Sequence, residues 1–112
     1  MHKPLDLSGR VAVVIGGTSG LGRTIALGLA EAGADVVASG RREALVQEVC
    51  AQIERAGRRS LPATVDVLER RSVDALRSRV VEYFGRVDIL VNAAGRIARK
   101  PTLAVKIGRA HV

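Results

Sequence analysis

The sequence predicts an α/β fold built on a parallel sheet, and two observations support this prediction. Short apolar runs rich in Val and Ile alternate along the chain with stretches whose apolar residues recur at helical spacing. Each helical stretch is long enough to return the chain across the sheet, so successive strands run in the same direction. The predicted series is β-α-β-α-β-α-β, with helices covering both faces of a doubly wound sheet.

Four strands are predicted. The run VAVVI at 11–15 is continuous and β-branched, which is typical of a strand buried on both faces. The others are predicted at 35–39, 60–65 and 87–91, and Pro62 indicates that the third is irregular or lies near an edge. In the predicted order 3-2-1-4, the sheet is truncated after the fourth strand, whose outer edge is left uncovered.

Three helices are predicted between these strands, at 21–32, 42–56 and 69–84. A glycine directly follows each of them, as is common at helix ends. Each has one apolar stripe at helical spacing, which predicts the face packed on the sheet. The stripes are Leu21, Ile25 and Leu29; Leu45, Val49 and Ile53; and Val73, Leu76, Val80 and Phe84.

The composition fits one domain and excludes several classes of protein. With 112 residues, 47% of them apolar, the chain can bury a core. It has no apolar run long enough to span a membrane, and its first residues lack the apolar stretch of a secretory signal. The single cysteine, Cys50, is predicted to be a buried structural thiol, and its isolation fits a cytoplasmic protein.

The net charge of +7 raises the question of a nucleic-acid partner. Of the 18 cations 15 are Arg, but they are scattered and many have acids between them. Aromatic residues make up only 2% of the chain, so no platform exists for stacking bases. We therefore expect a solvated basic surface and no nucleic-acid partner.

Four glycines fall within seven residues directly after the first predicted strand, in the segment GGTSGLG at 16–22. Each glycine in ordered structure costs roughly 0.5–1 kcal/mol relative to Ala, so four of them favour a functional reason over a plain turn. The first N–H groups of the following helix and the positive end of its dipole suit a pyrophosphate. Glycines also let phosphate oxygens reach the backbone, so the segment predicts a dinucleotide-binding corner.

A competing interpretation is a P-loop, because Gly17, Gly22, Arg23 and Thr24 nearly match G-x4-G-K-[ST]. A nucleoside triphosphatase needs Lys where this chain has Arg23, and the two side chains are not interchangeable. It also needs an Asp that orients Mg²⁺ after a later strand, for which Asp66 is a weak candidate. The dinucleotide interpretation is preferred.

The end of the second predicted strand indicates which dinucleotide is bound, because it lies about 20 residues past the glycines. NAD-binding folds place an acid there, whereas this chain has Arg41 and Arg42 after Gly40. The nearest acid, Asp35, lies at the other end of the strand. Guanidinium groups pair well with a phosphate, and cations at a helix start suggest an anion nearby. The sequence therefore predicts NADP(H) in preference to NAD.

From about Leu7 to Gly95, the chain resembles the short-chain dehydrogenase/reductase family in four features that occur in the family's order. The segment at 15–22 is similar to the family's T-G-x-x-x-G-x-G. The pair Asp66-Val67 resembles the Asp-hydrophobic pair that contacts adenine, and the Asn-Ala-Ala-Gly run at 92–95 resembles N-N-A-G. Arg41 stands where NADP-using members carry a basic residue.

This resemblance implies a Rossmann-like fold and a set of cofactor-binding residues. In the family, the first Asn of N-N-A-G is mainly structural; from the chain alone, Asn92 is suited to tie neighbouring strand ends, and Asp66 could instead cap the next helix. The implied set is Gly16, Ser19, Gly20, Leu21 and Gly22 at the pyrophosphate, Arg41 and Arg42 at the 2′-phosphate, Asp66 and Val67 at the adenine, and Asn92, Ala93 and Gly95 along the inner cofactor wall.

The chain departs from the family pattern at three positions and lacks the family's catalytic set. Ile15 replaces the motif Thr, Ala93 the second Asn, and Ser19 a basic residue of many NADP-preferring members. The family's Ser and Tyr-x-x-x-Lys have no counterpart, since the single tyrosine, Tyr83, lacks a Lys four residues on. We expect Tyr83 on a helix surface, and we predict neither catalytic nor metal-binding residues; His2 and His111 lie near the termini.

The resemblance implies an NADP(H)-dependent oxidoreductase that acts on a carbonyl/alcohol pair in a homo-oligomeric parent protein. This chain would supply residues 1–105, the N-terminal half of the dinucleotide-binding domain, and would be inactive alone. The alternative is a non-catalytic NAD(P)-binding module. For the substrate, Arg-Lys-Pro at 99–101 resembles sugar-acid dehydrogenases, with 3-oxoacyl reductases an equal alternative.

The last residues, KIGRAHV at 106–112, are expected to be a non-native tail. They can be encoded by AAG ATC GGA AGA GCA CAC GTC, a string similar to a common sequencing-adapter oligonucleotide, which TGA would follow as a stop codon. Recovery of this heptapeptide and stop from the genomic locus would refute the expectation.

Overall fold

The computed structural model describes residues 6–94 and 104–107. A sheet in the order β2-β1-β3-β4 forms its centre. The strands β2, β1 and β3 are parallel, and β4 pairs antiparallel with β3. The elements in chain order are β1 (Val11–Ile15), α1 (Gly20–Glu31), β2 (Asp35–Ser39), α2 (Glu43–Arg55), α3 (Arg70–Phe84), β3 (Ile89–Asn92) and β4 (Ala104–Ile107).

The α/β fold class and the three helices are confirmed, with helix ends within one residue of the predicted ones. Alternate residues of β1 enter two different clusters, as the pleat of a strand requires. Ala12 and Val14 pack with α1 and α2, while Val11, Val13 and Ile15 pack with α3. The sheet is therefore covered on both faces, as a doubly wound fold demands.

The apolar stripe predicted for α1 is wrong at its first position. Leu21 is 55% exposed, whereas the buried residues of this helix are Gly22, Ala26 and Ala30. These three small residues recur every fourth position, so the helix lies close to β1 and β2. Ile25 and Leu29 are partly buried at the margin of the same contact.

The third predicted strand, at 60–65, is not a strand in the structure. The chain passes beside β2 but bonds to it at separated points: Val36 N–H donates to the Arg59 carbonyl and Val65 N–H to that of Gly40. Pro62 has no N–H to donate, which prevents a continuous ladder. The described part of the sheet thus has three parallel strands, and the fourth predicted strand is shifted to Ile89–Asn92.

The prediction that the outer edge of the strand at 87–91 is uncovered is wrong. β4 pairs with the whole of β3, with Asn92 opposite Ala104 and Ile89 opposite Ile107. This strand carries no alternation long enough to reveal it in the sequence. It includes Lys106 and Ile107, the first two residues of the expected non-native tail, and the nature of that tail stays a prediction.

Candidate functional site

The carboxyl ends of three parallel strands meet at one edge of the sheet. Ile15 stands level with Ser39 on one side and Asn92 on the other. The segments that follow these three residues therefore come together, and they contain most of the residues that the sequence analysis selected. In open α/β sheets this edge is where ligands bind.

The glycine segment turns sharply from β1 into α1 and is fixed to the end of β2. The N–H groups of Gly16 and Gly17 both donate to the Ser39 carbonyl, at 2.8 and 3.1 Å. A Cβ at Gly22 would overlap the Gly16 carbonyl oxygen, and one at Gly16 would come within 2.8 Å of the Ala94 nitrogen. Backbone contacts therefore dictate glycine at both positions.

This close packing presents the start of α1 to the edge of the sheet. Ser19 is the N-cap residue; it is exposed and its side chain makes no capping hydrogen bond. The first N–H groups of a helix have no partner within the helix, and the helix dipole places partial positive charge there. The exposed Gly20 and Leu21 begin the helix at the same point. The arrangement suits a phosphate group without an acidic side chain nearby to repel it.

A cavity of about 380 Å³ lies beside this corner. It brings together five of the predicted site residues, and Gly20, Leu21, Gly22, Asp66, Asn92 and Ala93 are not among its lining residues. The individually predicted lining residues are Gly16, Ser19, Arg41, Arg42 and Val67. Ala94 lies within the predicted 92–95 run, and the residues that sequence reasoning missed are Thr18, Gly40, Leu45 and Val65.

The missed residues carry weak sequence signals. Thr18 and Gly40 are each adjacent to a predicted residue, while Leu45 and Val65 read as ordinary core positions of a helix and a strand. The lining contains two cations and no carboxylate. A second cavity, of about 300 Å³ between α3 and the sheet, has a mostly apolar lining that includes none of the predicted residues.

Arg41 and Arg42 line the first cavity. Both are exposed, and Arg42 is the N-cap residue of α2, as the sequence analysis expected for a cation at a helix start. Among residues 6–94, neither takes part in an ion pair, although Arg10, Arg23, Arg59 and Arg86 do. Their charge is therefore available to an anion in the cavity.

Asp66 forms a local turn and does not cap α3. Its Oδ1 accepts from the Leu68 N–H at 3.0 Å, and its own N–H donates to Ser72 Oγ at 2.8 Å. The N-cap residue of α3 is Glu69, so the alternative role considered for Asp66 is wrong. The turn positions the neighbouring Val67 in the cavity lining.

Asn92 also bonds within its own loop. Its Oδ1 accepts from the Ala94 N–H at 3.1 Å, while the tie to the neighbouring strand is made by the Ala93 N–H, which donates to the Ile15 carbonyl at 2.8 Å. The side-chain amide of Asn92 therefore does not join the ends of β3 and β1. Gly95 lies outside the described residues.

The geometry disfavours the P-loop interpretation. Arg23, at the position of the P-loop Lys, donates from Nη2 to Gln52 Oε1 at 2.8 Å and lies 3.8 Å from Glu48. Thr24 Oγ1 donates to the Gly20 carbonyl at 3.4 Å. Both side chains are thus occupied by contacts within α1 and with α2.

Tyr83 and Cys50 do not line the cavity. Tyr83 is 54% exposed on α3 and packs edge-on against Phe84, which confirms its surface position. Cys50 is buried, and this burial raises the pKa of its thiol. In residues 6–94 and 104–107, no group of three or more His, Cys, Asp or Glu could hold a metal ion, and no helix could span a membrane.

An open α/β sheet with a glycine corner and a cationic cavity at its carboxyl edge defines a nucleotide-binding class of protein. A comparison with protein families identifies the family within this class. The family model described as short chain dehydrogenase matches residues 10–109. The chain belongs to the short chain dehydrogenase family.

Two curated relatives illustrate the similarity. The chain is 45% identical over 98 residues to 2-dehydro-3-deoxy-D-gluconate 5-dehydrogenase of Escherichia coli (strain K12), and 41% identical over 98 residues to the protein of the same name from Dickeya dadantii (strain 3937). Each alignment covers 88% of this chain and 38% of the relative. The chain thus spans under two fifths of the length of these relatives.

Solved structures agree on the fold. L-sorbose reductase from Gluconobacter frateurii, in complex with NADPH and L-sorbose, superposes with a TM-score of 0.80 at 38% identity, over 88% of this chain and 38% of that one. A dehydrogenase/reductase from Sinorhizobium meliloti 1021 gives a TM-score of 0.78 at 36% identity, over 82% of this chain and 37% of that one. The Rossmann-like assignment is confirmed.

Proposed function

We propose that the chain binds NADP(H) at the carboxyl edge of its sheet. The observation that carries this proposal is the lining of the 380 Å³ cavity, which combines Arg41 and Arg42 with the glycine corner and contains no carboxylate. A ribose with two free hydroxyls is normally held by an acid at the end of the second strand, and a 2′-phosphate by Arg. The NADPH bound to L-sorbose reductase supports the same choice.

Each part of the coenzyme has candidate partners. The start of α1 would hold the pyrophosphate through backbone N–H groups, and two guanidinium groups would hold the 2′-phosphate. Val67 and Leu45 offer apolar surface in the lining to the adenine, next to the turn at Asp66. The assigned residues are Gly16, Ser19, Gly20, Leu21 and Gly22 for the pyrophosphate, Arg41 and Arg42 for the 2′-phosphate, Asp66 and Val67 for the adenine, and Asn92, Ala93 and Gly95 for the inner wall.

The longer protein that contains this segment is proposed to be an oxidoreductase acting on a carbonyl/alcohol pair. The coenzyme would supply or accept the hydride, while the residues described above bind and orient it. Two relatives named as sugar-acid dehydrogenases make 2-keto sugar acids the first substrates to test. We further propose a homo-oligomer in the reducing cytoplasm, where one free buried thiol is stable.

A non-catalytic binding module is the second candidate. For the segment itself, the observation in its favour is that the single tyrosine, Tyr83, is 54% exposed and does not line the cavity beside the glycine corner. The two candidates predict the same coenzyme binding and differ in turnover. Oxidation of a 2-keto sugar acid at its C5 hydroxyl by the gene product extended downstream of Leu103, with NADP⁺ as the hydride acceptor and the appearance of NADPH absorbance as the readout, would favour the oxidoreductase.

Isothermal titration calorimetry of the 112-residue chain with NADP⁺, NAD⁺ and double-stranded DNA tests the binding proposal. We expect NADP⁺ to bind about tenfold or more tighter than NAD⁺, since one charge-assisted hydrogen bond contributes roughly 1.5–3 kcal/mol. Absence of heat with both dinucleotides would overturn the proposal. Salt-dependent DNA binding without a dinucleotide response would point instead to a nucleic-acid protein.

A further inference from the structure

The contact between Thr18 and Gly40 joins the two halves of the cavity wall. Thr18 is buried, with 6% exposure, and both residues line the cavity. A Cβ added at Gly40 would stand 2.7 Å from Thr18 Oγ1 and 3.4 Å from its Cγ2. The backbone of Gly40 does not have the positive φ that other glycines of this chain adopt. Glycine is therefore required at 40 by the neighbouring side chain and not by the backbone conformation.

Neither side of this contact is free to move away. The loop that carries Thr18 is held by two N–H groups that donate to the Ser39 carbonyl, at 2.8 and 3.1 Å. Gly40 is held on its other side, because its carbonyl accepts from the Val65 N–H at 2.9 Å. A β-branched side chain such as Thr is also stiff at χ1, and burial restricts it further. A larger residue at 40 thus requires Thr18 itself to be displaced.

Position 40 is where a ribose-binding acid would have to stand in this chain. It directly follows β2, lies 20 residues after Gly20 and lines the same cavity as Arg41 and Arg42. Since Thr18 occupies the space of the first side-chain atom there, Asp or Glu cannot enter without a rearrangement. Among the described residues, the two arginines are left as the only charged residues of the lining.

We propose that Thr18 is a specificity-determining residue, which excludes an acidic side chain at position 40 by occupying its volume and so reserves the site for a 2′-phosphorylated coenzyme. The inference rests on the proposed NADP(H) binding. It also predicts a steric effect, which the proposed coenzyme affinity alone does not. When the Thr18 side chain is truncated at Cβ, the nearest atom lies 3.6 Å or more from a Cβ at position 40, which is an ordinary van der Waals contact.

The first part of the test measures packing and needs no ligand. We expect Gly40→Ala to lower the melting temperature by about 5–15 °C, as overpacking does, and to have little effect when Thr18→Ala is already present. Gly28→Ala is the matched control, because a Cβ at Gly28 meets nothing within 4 Å. An equal loss from Gly40→Ala in both backgrounds would overturn the steric claim.

The second part measures the affinities for NADP⁺ and NAD⁺ by calorimetry. We expect Gly40→Asp alone to lose NADP⁺ binding without gaining NAD⁺ binding, and Thr18→Ala/Gly40→Asp to bind NAD⁺ about tenfold to a hundredfold tighter than Gly40→Asp does. Thr18→Val/Gly40→Asp is the control that keeps the branched volume and removes only the hydroxyl, so it should not gain NAD⁺ affinity.

The outcomes separate this inference from the proposed function. If the unchanged chain prefers NADP⁺ but the three Asp-containing variants share one NAD⁺ affinity, Thr18 does not set specificity and the proposed function stands. A gain of NAD⁺ affinity by Gly40→Asp alone would have the same meaning. If the unchanged chain binds neither dinucleotide, both proposals fall.

Discussion

In the part of the chain that the structure describes, charged side chains at the amino edge of the sheet form ion pairs with one another, whereas the two arginines at its carboxyl edge do not. At the amino edge, Asp88 precedes β3 and is buried, with one oxygen 2.8 Å from Arg86 Nη2 and 3.9 Å from Arg10, and the other accepting from the Val11 N–H at 2.9 Å. Asp35, at the start of β2, pairs with Arg59 at 3.2 Å. Here anions of the chain itself satisfy its cations and hold strand starts together.

At the carboxyl edge, the cations have no such partners within residues 6–94. Arg41 and Arg42 line a cavity whose walls hold no acid, next to the start of α1. The contrast teaches that the two arginines of the cavity carry charge that an anion in the cavity can neutralise. Changes at the amino edge should therefore affect stability, and changes to the arginines at the carboxyl edge should affect binding.

The largest effect is expected from Gly22→Ala. This change lies at the carboxyl edge but should lower both stability and coenzyme binding. The added Cβ overlaps the Gly16 carbonyl, a backbone atom that no rotamer change can move. We expect a loss of about 4 kcal/mol or more in the free energy of unfolding, measured by urea denaturation, with loss of NADP⁺ binding. Gly28→Ala in the same helix should instead stabilise by about 0.5–1 kcal/mol. Similar results for the two variants would contradict the close-packed corner.

The next largest effect on stability is expected from a change at the amino edge. Asp88→Asn removes the charge that pairs with Arg86 and Arg10, and we expect it to lower the free energy of unfolding by about 1–3 kcal/mol. The dissociation constant for NADP⁺, measured on the folded variant, should be unchanged. A weakened affinity with unaltered stability would reverse the roles assigned to the two edges.

The same carboxyl group gives a pH dependence. Burial acts to raise the pKa of Asp88, but the hydrogen bonds from Arg86 and Val11 and the charges of Arg86 and Arg10 outweigh it, so its pKa is lowered. Its contribution to stability is therefore complete above the unfolded pKa of about 3.9 and is lost as pH falls through the lower folded value. Urea denaturation should show the stability gap between the unchanged chain and Asp88→Asn closing below about pH 4. A gap that persists at lower pH would exclude this ionisation as its source.

The smallest change in stability is expected from Arg41→Gln and Arg42→Gln, which sharpen the comparison at the carboxyl edge. Both residues are exposed, so the free energy of unfolding should change by no more than about 0.5 kcal/mol. NADP⁺ affinity should fall about tenfold for each, since each removes a charged contact to phosphate. Arg77→Gln on α3, which lines other cavities, is the control and should leave affinity unchanged. Equal effects of the three variants would indicate nonspecific attraction.

The sequence predicted best where a local rule dictates the structure. Helical spacing and glycine stops located the three helices, and the glycines of the 16–22 segment located the β1–α1 corner. It predicted less where tertiary contacts decide. Pro62 lies in an apolar run that resembles a strand, yet only separated bonds join this run to β2.

The site shows the same division. Arg41 and Arg42 carry their chemistry in the side chain and could be recognised directly. The importance of Thr18 and Gly40 depends on the 2.7 Å that would separate Thr18 Oγ1 from a Cβ at position 40, and no spacing along the chain reveals it. The loop bonds of Asp66 and Asn92 were likewise hidden, because a side chain that closes its own turn has the same sequence as one that reaches a neighbouring strand.

Calorimetric titration of the unchanged chain with 2′,5′-ADP and with 5′-AMP tests the central claim most directly, because these ligands differ only in the 2′-phosphate. We expect 2′,5′-ADP to bind about tenfold or more tighter, and this preference to fall to about threefold or less in Arg41→Gln/Arg42→Gln. Equal affinities of the unchanged chain for the two ligands would contradict the claim that the carboxyl edge keeps its cations for that phosphate.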